Sequence, residues 1–324
     1  SAASDVYKRQ NPNTQQALQH CTVCPRNCGA DRLSGKVGFC GAGTLPKVAL
    51  VSAHQWEEPP ISGTRGSGTV FFSHCNLRCV FCQNHDISQE NFGAEISIER
   101  LTEIFLEQQS RGLHNINLVS ASHFIPQIAE ALEKAKAQGL SIPVVYNSNG
   151  YESLDGLRML DGLVDVYLPD FKYWDDTLTV QYSKAPHYAE TTAAAILEMR
   201  RQTKADLFDE NGIMEKGLIL RHLVLPGHYK DSFRVLDWIR ENLGKDAYVS
   251  LLNQYTPMYH ATEFRNLSRK LTTFEYEKVT EYFLEIGLTN GFVQKRSAAT
   301  SEYTPLFDLS GVKSAATFQI RKEN

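Results

Sequence analysis

Three cysteines spaced C-x3-C-x2-C, Cys75, Cys79 and Cys82, carry the most telling chemistry in this chain. They lie in Ser73-His74-Cys75-Asn76-Leu77-Arg78-Cys79-Val80-Phe81-Cys82. A cubane iron–sulfur cluster has four irons and normally takes four thiolates. Three local thiolates leave one iron without a protein ligand, and an open coordination position is where metal chemistry on a small molecule can occur. Structural zinc is the competing reading, but it wants four ligands, usually in C-x2-4-C pairs. His74 could be offered as the fourth, yet it adjoins Cys75, where both ligating one metal is awkward. The loop therefore reads as an iron–sulfur site.

The other four cysteines, Cys21, Cys24, Cys28 and Cys40, form a separate set spaced C-x2-C-x3-C-x11-C. Glycines and Pro25 punctuate it, as they do where backbone folds closely around an ion. This set could hold zinc or a second iron–sulfur cluster, and spacing alone leaves both open. All seven cysteines fall between Cys21 and Cys82. An odd total in a long chain with no signal-peptide core at its N-terminus is a poor disulfide framework. Oxygen-sensitive clusters need a reducing compartment, so a cytoplasmic protein is expected.

The elements that must position these residues alternate. Strands are expected at Thr69–Ser73, Asn115–Ser120, Ile142–Asn147, Val164–Pro169, Gly217–Val224 and Ala247–Leu252, with a short run at Gly291–Gln294. Helices are expected at Ile96–Ser110, Pro126–Gln138, Leu154–Leu160, Ala189–Thr203, Asp231–Asn242 and Thr273–Ile286. Such alternation implies a parallel sheet with right-handed crossovers. The fold class is α/β, a partial (β/α)6 TIM-like barrel with a small Cys-rich N-terminal segment. A doubly wound fold competes, but no G-x-G-x-x-G follows any strand. The cluster loop follows the first strand, and parallel barrels place their active sites at the C-terminal ends of strands. The expected organisation is a flexible tail over 1–19, the Cys-rich segment and linker over 20–64, the barrel over 65–295 and an extension over 296–324. Leu45–Ser52 reads as a short strand or hairpin arm, and the stretch to Pro60 as irregular. Glu57 and Glu58 are expected to be surface charge, because neighbours in an extended chain point opposite ways.

The 324 residues are 42% hydrophobic and 22% charged, with a formal net charge of −4. That is an ordinary globular composition. No Lys/Arg block suggests a nucleic-acid partner. No apolar run reaches the roughly 18–20 residues of a membrane helix. Gly63-Thr64-Arg65-Gly66-Ser67-Gly68 lacks the Gly-Lys-Ser/Thr of a phosphate loop.

Strand, C-x3-C-x-aromatic-C loop and helix in succession resemble the signature of radical S-adenosylmethionine (radical SAM) enzymes. With Cys82-Gln83-Asn84, the chain from about Cys21 to Gln294 looks most like the relatives of pyruvate formate-lyase activating enzyme. The text Cys-Pro-Arg-Asn-Cys with a later Gly-Phe-Cys-Gly resembles the N-terminal segment of one branch of these homologues, and pyruvate formate-lyase activating enzyme itself has no such segment. The resemblance implies that Cys75, Cys79 and Cys82 hold a 4Fe-4S cluster whose fourth iron takes the amine and carboxylate of SAM. It implies SAM contacts from Phe81, from Ser120 and Ser122 after the second strand, and from Asn149 in the Asn-Gly turn after the third. Asp170 and Lys172, in an Asp-x-Lys after the fourth strand, would meet the ribose and carboxylate, and Arg221 on the fifth would meet SAM or substrate. His123 reads as a helix-start or core residue, and His222 and His228 have no assignable role.

A reduced flavodoxin or ferredoxin would then supply one electron. SAM would break to methionine and a 5′-deoxyadenosyl radical, which takes hydrogen from a substrate at the barrel mouth. The glycine of a glycyl-radical enzyme is the first candidate substrate. A second reading is radical SAM modification of another peptide, nucleic acid or small molecule, with the four-cysteine set as an auxiliary cluster. A third is a non-enzymatic metal-binding module.

Overall fold

In the computed structural model, residues 12–55, 57–293 and 307–313 are described. Eight main strands build the sheet: β1 (Lys47–His54), β2 (Ser67–Phe72), β3 (Ile116–Val119), β4 (Val144–Ser148), β5 (Val166–Pro169), β6 (Met214–Leu223), β7 (Tyr248–Leu252) and β8 (Gly291–Val293). From β2 to β8 each strand pairs in parallel with the next one in sequence. A doubly wound sheet reverses its order at a switch point; this one never does, so it winds as a partial barrel. β1 runs antiparallel to β2 and closes that edge as a hairpin arm, as Leu45–Ser52 led one to expect. A two-residue strand, Ala94–Glu95, covers β1 in turn.

The crossovers are α2 (Ile98–Ser110), α3 (Ile125–Ala137), α4 (Leu154–Met159), α5 (Asp176–Ser183), α6 (Tyr188–Thr203), α7 (Tyr229–Leu243) and α8 (Thr273–Glu285), preceded by α1 (Pro12–Gln19). Their starts are written locally. Ser97, Ser153 and Asp175 accept from backbone N–H groups of the first turns of α2, α4 and α5. Thr272 and Glu275 form a reciprocal capping box at α8. Each such cap is worth about 1 kcal/mol.

Strand side chains alternate between two layers. Tyr146, Tyr167, Leu218 and Leu220 belong to the helix-facing core. Their neighbours Val145, Val166, Leu168 and Ile219 form a second cluster on the inner face. All six residues of β2 are buried, as expected for a parallel strand covered on both sides.

Three expectations need correction. Residues 12–19 are not tail: they form α1, whose Leu18 is fully buried and whose Thr14 donates to Glu130 of α3. The chain before it lies outside the described residues. The stretch before Pro60 is not wholly irregular, because Pro59–Ser62 makes one helical turn with the prolines at its start, where their missing N–H costs nothing. Asp176–Ser183 is a helix that its Thr- and Val-containing sequence did not announce. Of the 296–324 extension, residues 307–313 pack along β1, with Val51 N–H donating to Ser310 O and Leu309 N–H to Ala49 O. The rest of that expectation, and Gln294, lie outside the described residues.

Candidate active site

The inner face of the sheet continues past its apolar layer to the strand ends. Following the same alternation, Val145 leads to Asn147, Leu168 to Asp170 and Ile219 to Arg221. Asp170 and Arg221 meet directly as a parallel bridge. Together with Phe71 and Val119 these residues line one cavity of about 270 Å³. Cys75, Cys79 and Cys82 line it too, so period-two geometry and the cluster loop converge on one space.

The loop is held from several sides. Arg78 N–H donates to Ser183 O (3.0 Å) and Val80 N–H to Tyr182 O (2.8 Å), both at the end of α5. His260 N–H donates to Val80 O, and the Gln89 side chain to Cys79 O. His74, one residue before Cys75, takes a left-handed φ of 70°, an uncommon conformation for a non-glycine residue and one that clusters at functional sites.

Each thiol meets a polar group. Cys79 Sγ lies 3.0 Å from Ser183 Oγ, and Cys82 Sγ 3.2 Å from Ser88 Oγ. Cys75 Sγ accepts from Leu77 N–H at 3.4 Å and from Asn149 Nδ2 at 3.6 Å. Burial pushes the Cys82 thiol up to about 12, with Cys79 adding to it. It raises Cys79 as well, against the pull of Lys172. A buried thiolate needs cationic compensation, which iron would supply, while the surrounding hydroxyl and N–H donors stabilise ligating sulfur. The donor set fits a cluster.

Around the cavity, Lys172 Nζ donates to Asp170 Oδ2 at 2.9 Å. Burial alone would lower Lys172, but Asp170 and then Cys79 hold it above the usual lysine range. Asn149 donates to Asn76 Oδ1 at 2.7 Å, which fixes the residue after Cys75. Gly150 follows with φ 85°, and an added Cβ would stand 2.2 Å from Asp170 O. Only glycine lets the ends of β4 and β5 approach this closely. Tyr188 completes that junction, donating to Asn149 O and accepting from Lys172 N–H.

Arg221 is enclosed by carboxylates. Its Nε lies 3.1 Å from Glu58 Oε1 and its Nη1 3.7 Å from Glu57 Oε2. Burial opposes the charge on Arg221, but Glu58 and Glu57 hold its pKa well above the ordinary arginine value. Glu57 is raised by burial, against the pull of Arg221. The expectation of surface charge at Glu57 and Glu58 is therefore overturned. The chain bends ahead of Pro59 instead of staying extended, so consecutive side chains reach one guanidinium.

The structure gathers Ser120, Asn149, Asp170, Lys172 and Arg221 at the cavity with the three cysteines. Ser120 does so from a left-handed φ of 61°. Ser122 and Phe81 are placed elsewhere. Ser122 is buried and donates to Glu152, and Phe81 packs edge-on against Tyr255 at 5.9 Å. Sequence reasoning missed Glu57, Glu58 and Asn147; the inner-face period would have found Asn147. It also missed Glu152, which accepts from Ser122, Tyr146 and Ser148. Burial pushes Glu152 up to about 7 despite these donors. His123 and His222 are core residues, donating to the carbonyls of Ser73 and Phe171.

The fold and site define an α/β partial barrel with a three-thiol metal loop at the end of its first parallel strand. The chain belongs to the radical SAM superfamily, whose family model matches residues 69–233. It is 32% identical over 277 residues to the uncharacterized protein MJ0674 of Methanocaldococcus jannaschii, covering 82% of this chain and 74% of that one. Among solved structures it is similar to Streptococcus suis SuiB bound to S-adenosylmethionine, at 14% identity and a TM-score of 0.46, over 71% of this chain and 50% of that one. It is also similar to a domain of pyruvate-formate lyase-activating enzyme from Bacteroides vulgatus, at 12% identity and a TM-score of 0.39, over 53% of this chain and 92% of that domain. The chain thus spans about half the length of SuiB. Superfamily membership makes it an enzyme that uses SAM and a 4Fe-4S cluster. Among the described residues no helix is long and apolar enough to cross a membrane.

Proposed function

We propose that this chain takes a hydrogen atom from a backbone glycine of a glycyl-radical enzyme. Cys75, Cys79 and Cys82 would hold the 4Fe-4S cluster. When bound, the cluster and SAM supply a 5′-deoxyadenosyl radical, on receipt of one electron from a flavodoxin or ferredoxin. The chain's own residues bind and orient. Lys172 offers a cation to the SAM carboxylate, Asp170 an acceptor to ribose hydroxyls, and Ser120 and Asn149 polar groups at the same wall. Phe71, Val119 and the inner apolar layer exclude water beneath them.

The observation that carries this reading is the single cavity that joins the three thiols to Asp170, Lys172 and Arg221. The glycine substrate is supported by the resemblance of Asp170-Phe171-Lys172 and of Arg221…Val224-Leu225-Pro226-Gly227 to the activating enzymes. The four-cysteine unit, which pyruvate formate-lyase activating enzyme lacks, favours a second reading: modification of another peptide or small molecule. Anaerobic incubation with SAM and dithionite should give 5′-deoxyadenosine. Adding a glycyl-radical enzyme should then give a glycyl radical by electron paramagnetic resonance. Cleavage without that signal selects the second reading, and no cleavage refutes both.

A further inference from the structure

The four cysteines at 21–40 have no part in the cavity. Their loop folds back on itself: Gly29 N–H donates to Cys21 O (2.9 Å), Cys21 N–H to Ala30 O (3.1 Å) and Asn27 N–H to Cys24 O (3.0 Å). Cys21 and Cys24 are buried, Cys40 is half-buried and Cys28 is exposed, and all four are free thiols. Cys24 lies within the electrostatic reach of Cys40 and Cys21, and Cys40 within that of Cys21 and Cys28. The wrap is close enough that a Cβ on Gly38 would meet Cys28 Sγ at 2.5 Å.

A second, independent observation points to what these sulfurs hold. Arg32 is only 2% exposed. Its guanidinium donates to Gly43 O (2.7 Å) and His123 O (2.7 Å) and reaches Cys21 Sγ at 3.8 Å. Among the described residues no carboxylate pairs with it. Carbonyls satisfy the donors but not the charge, and burying an unpaired cation is costly. An anionic group belongs beside it, and four thiolates on a metal centre are net anionic.

The sulfur spacing separates the metals. Four sulfurs on one zinc ion stand about 3.8 Å apart, given tetrahedral Zn–S bonds near 2.3 Å. Among the described residues no three of these thiols lie within 4.8 Å of one another. The same is true of Cys75, Cys79 and Cys82, the set that suits a cubane. We infer that Cys21, Cys24, Cys28 and Cys40 hold a second iron–sulfur cluster, with Arg32 as its buried counter-charge.

The two sites adjoin. Arg26 lies within the electrostatic reach of both Cys24 and Cys75 and donates to Asn76 O at 2.9 Å. Arg78, between Cys75 and Cys79, donates to Phe39 O, beside Cys40.

The test counts metal in anaerobically purified full-length protein. Wild type should carry about six to eight irons per chain, the sum of a cubane and a two- or four-iron cluster. About four irons would overturn the proposal. In Cys75→Ala/Cys79→Ala/Cys82→Ala, about two to four irons with matching sulfide should remain, along with a paramagnetic signal on reduction. Zinc without iron, or no metal, would overturn it. Cys24→Ser/Cys40→Ser should return the total to about four. Should the triple variant fail to fold, the wild-type count still decides.

Discussion

Cys79 and Cys82 each face a serine hydroxyl, and their loop opens into the cavity. Cys21 and Cys24, less exposed than that pair, line no part of it and are wrapped by their own backbone and backed by the Arg32 guanidinium. The first set is held by α5 and the Asn149-Gly150 turn, elements distant in sequence; the second is wrapped mainly by its own short loop, which Arg26 and Arg32 tie to the barrel at Asn76 O and His123 O. A site that must leave one coordination position open needs walls brought in from elsewhere, because its own loop cannot supply them. A closed four-thiol site can take its wrapping from one short loop, given a counter-charge and a few ties to the barrel. The contrast predicts different failures for lesions in the two regions.

The largest effect falls on the cluster loop. Cys79→Ala should abolish 5′-deoxyadenosine formation while far-UV circular dichroism stays unchanged; residual turnover within tenfold of wild type would remove Cys79 from the ligand set. Next comes Arg32→Gln, which keeps hydrogen-bonding capacity but deletes the charge. Iron should fall to about four per chain with Cys75, Cys79 and Cys82 untouched, and full iron retention would show that the counter-charge is dispensable. Lys172→Ala should act more gently, because it removes one charge-assisted contact worth about 1.5–3 kcal/mol. The KM for SAM should rise about 10- to 100-fold with kcat little changed. An unchanged KM would mean that Lys172 serves only its pair with Asp170.

The parts of this site that could be read from sequence were those governed by local rules. The cluster loop is a spacing, the helix caps are short patterns, and Asp170 and Arg221 follow from strand alternation together with the family's motifs. Serial βα alternation made the barrel legible, and the strand order agrees. What escaped depended on contacts across the chain. Glu57 and Glu58 converge on Arg221 through a bend before Pro59 that a local rule for extended chain cannot supply. Helix α1 is polar apart from a few residues, and its burial depends on α3 being there. Ser122 looked like a wall residue because it follows a strand end. A carboxylate thirty positions later, Glu152, takes its hydroxyl.

Glu152 also yields the most discriminating prediction, one read in stability and not in turnover, since it lies at the seam between the two regions. Its charge acts on Cys24 of one, while its donor Ser148 belongs to the strand end that lines the cavity of the other. In the folded chain its carboxyl keeps its proton up to about pH 7, against an ordinary value of 4.5. Between those values the folded state binds more protons than the unfolded one, so stability falls as pH rises. The contribution is fully present below pH 4.5 and lost as pH passes 7, to the extent of about 3 kcal/mol. Glu152→Gln, which keeps the acceptor for three hydroxyls but cannot ionise, should flatten the dependence of denaturant midpoint on pH between 5 and 8. If the slope survives in the variant, the proton is held elsewhere. Glu57, the other carboxylate raised by burial, then becomes the group to replace.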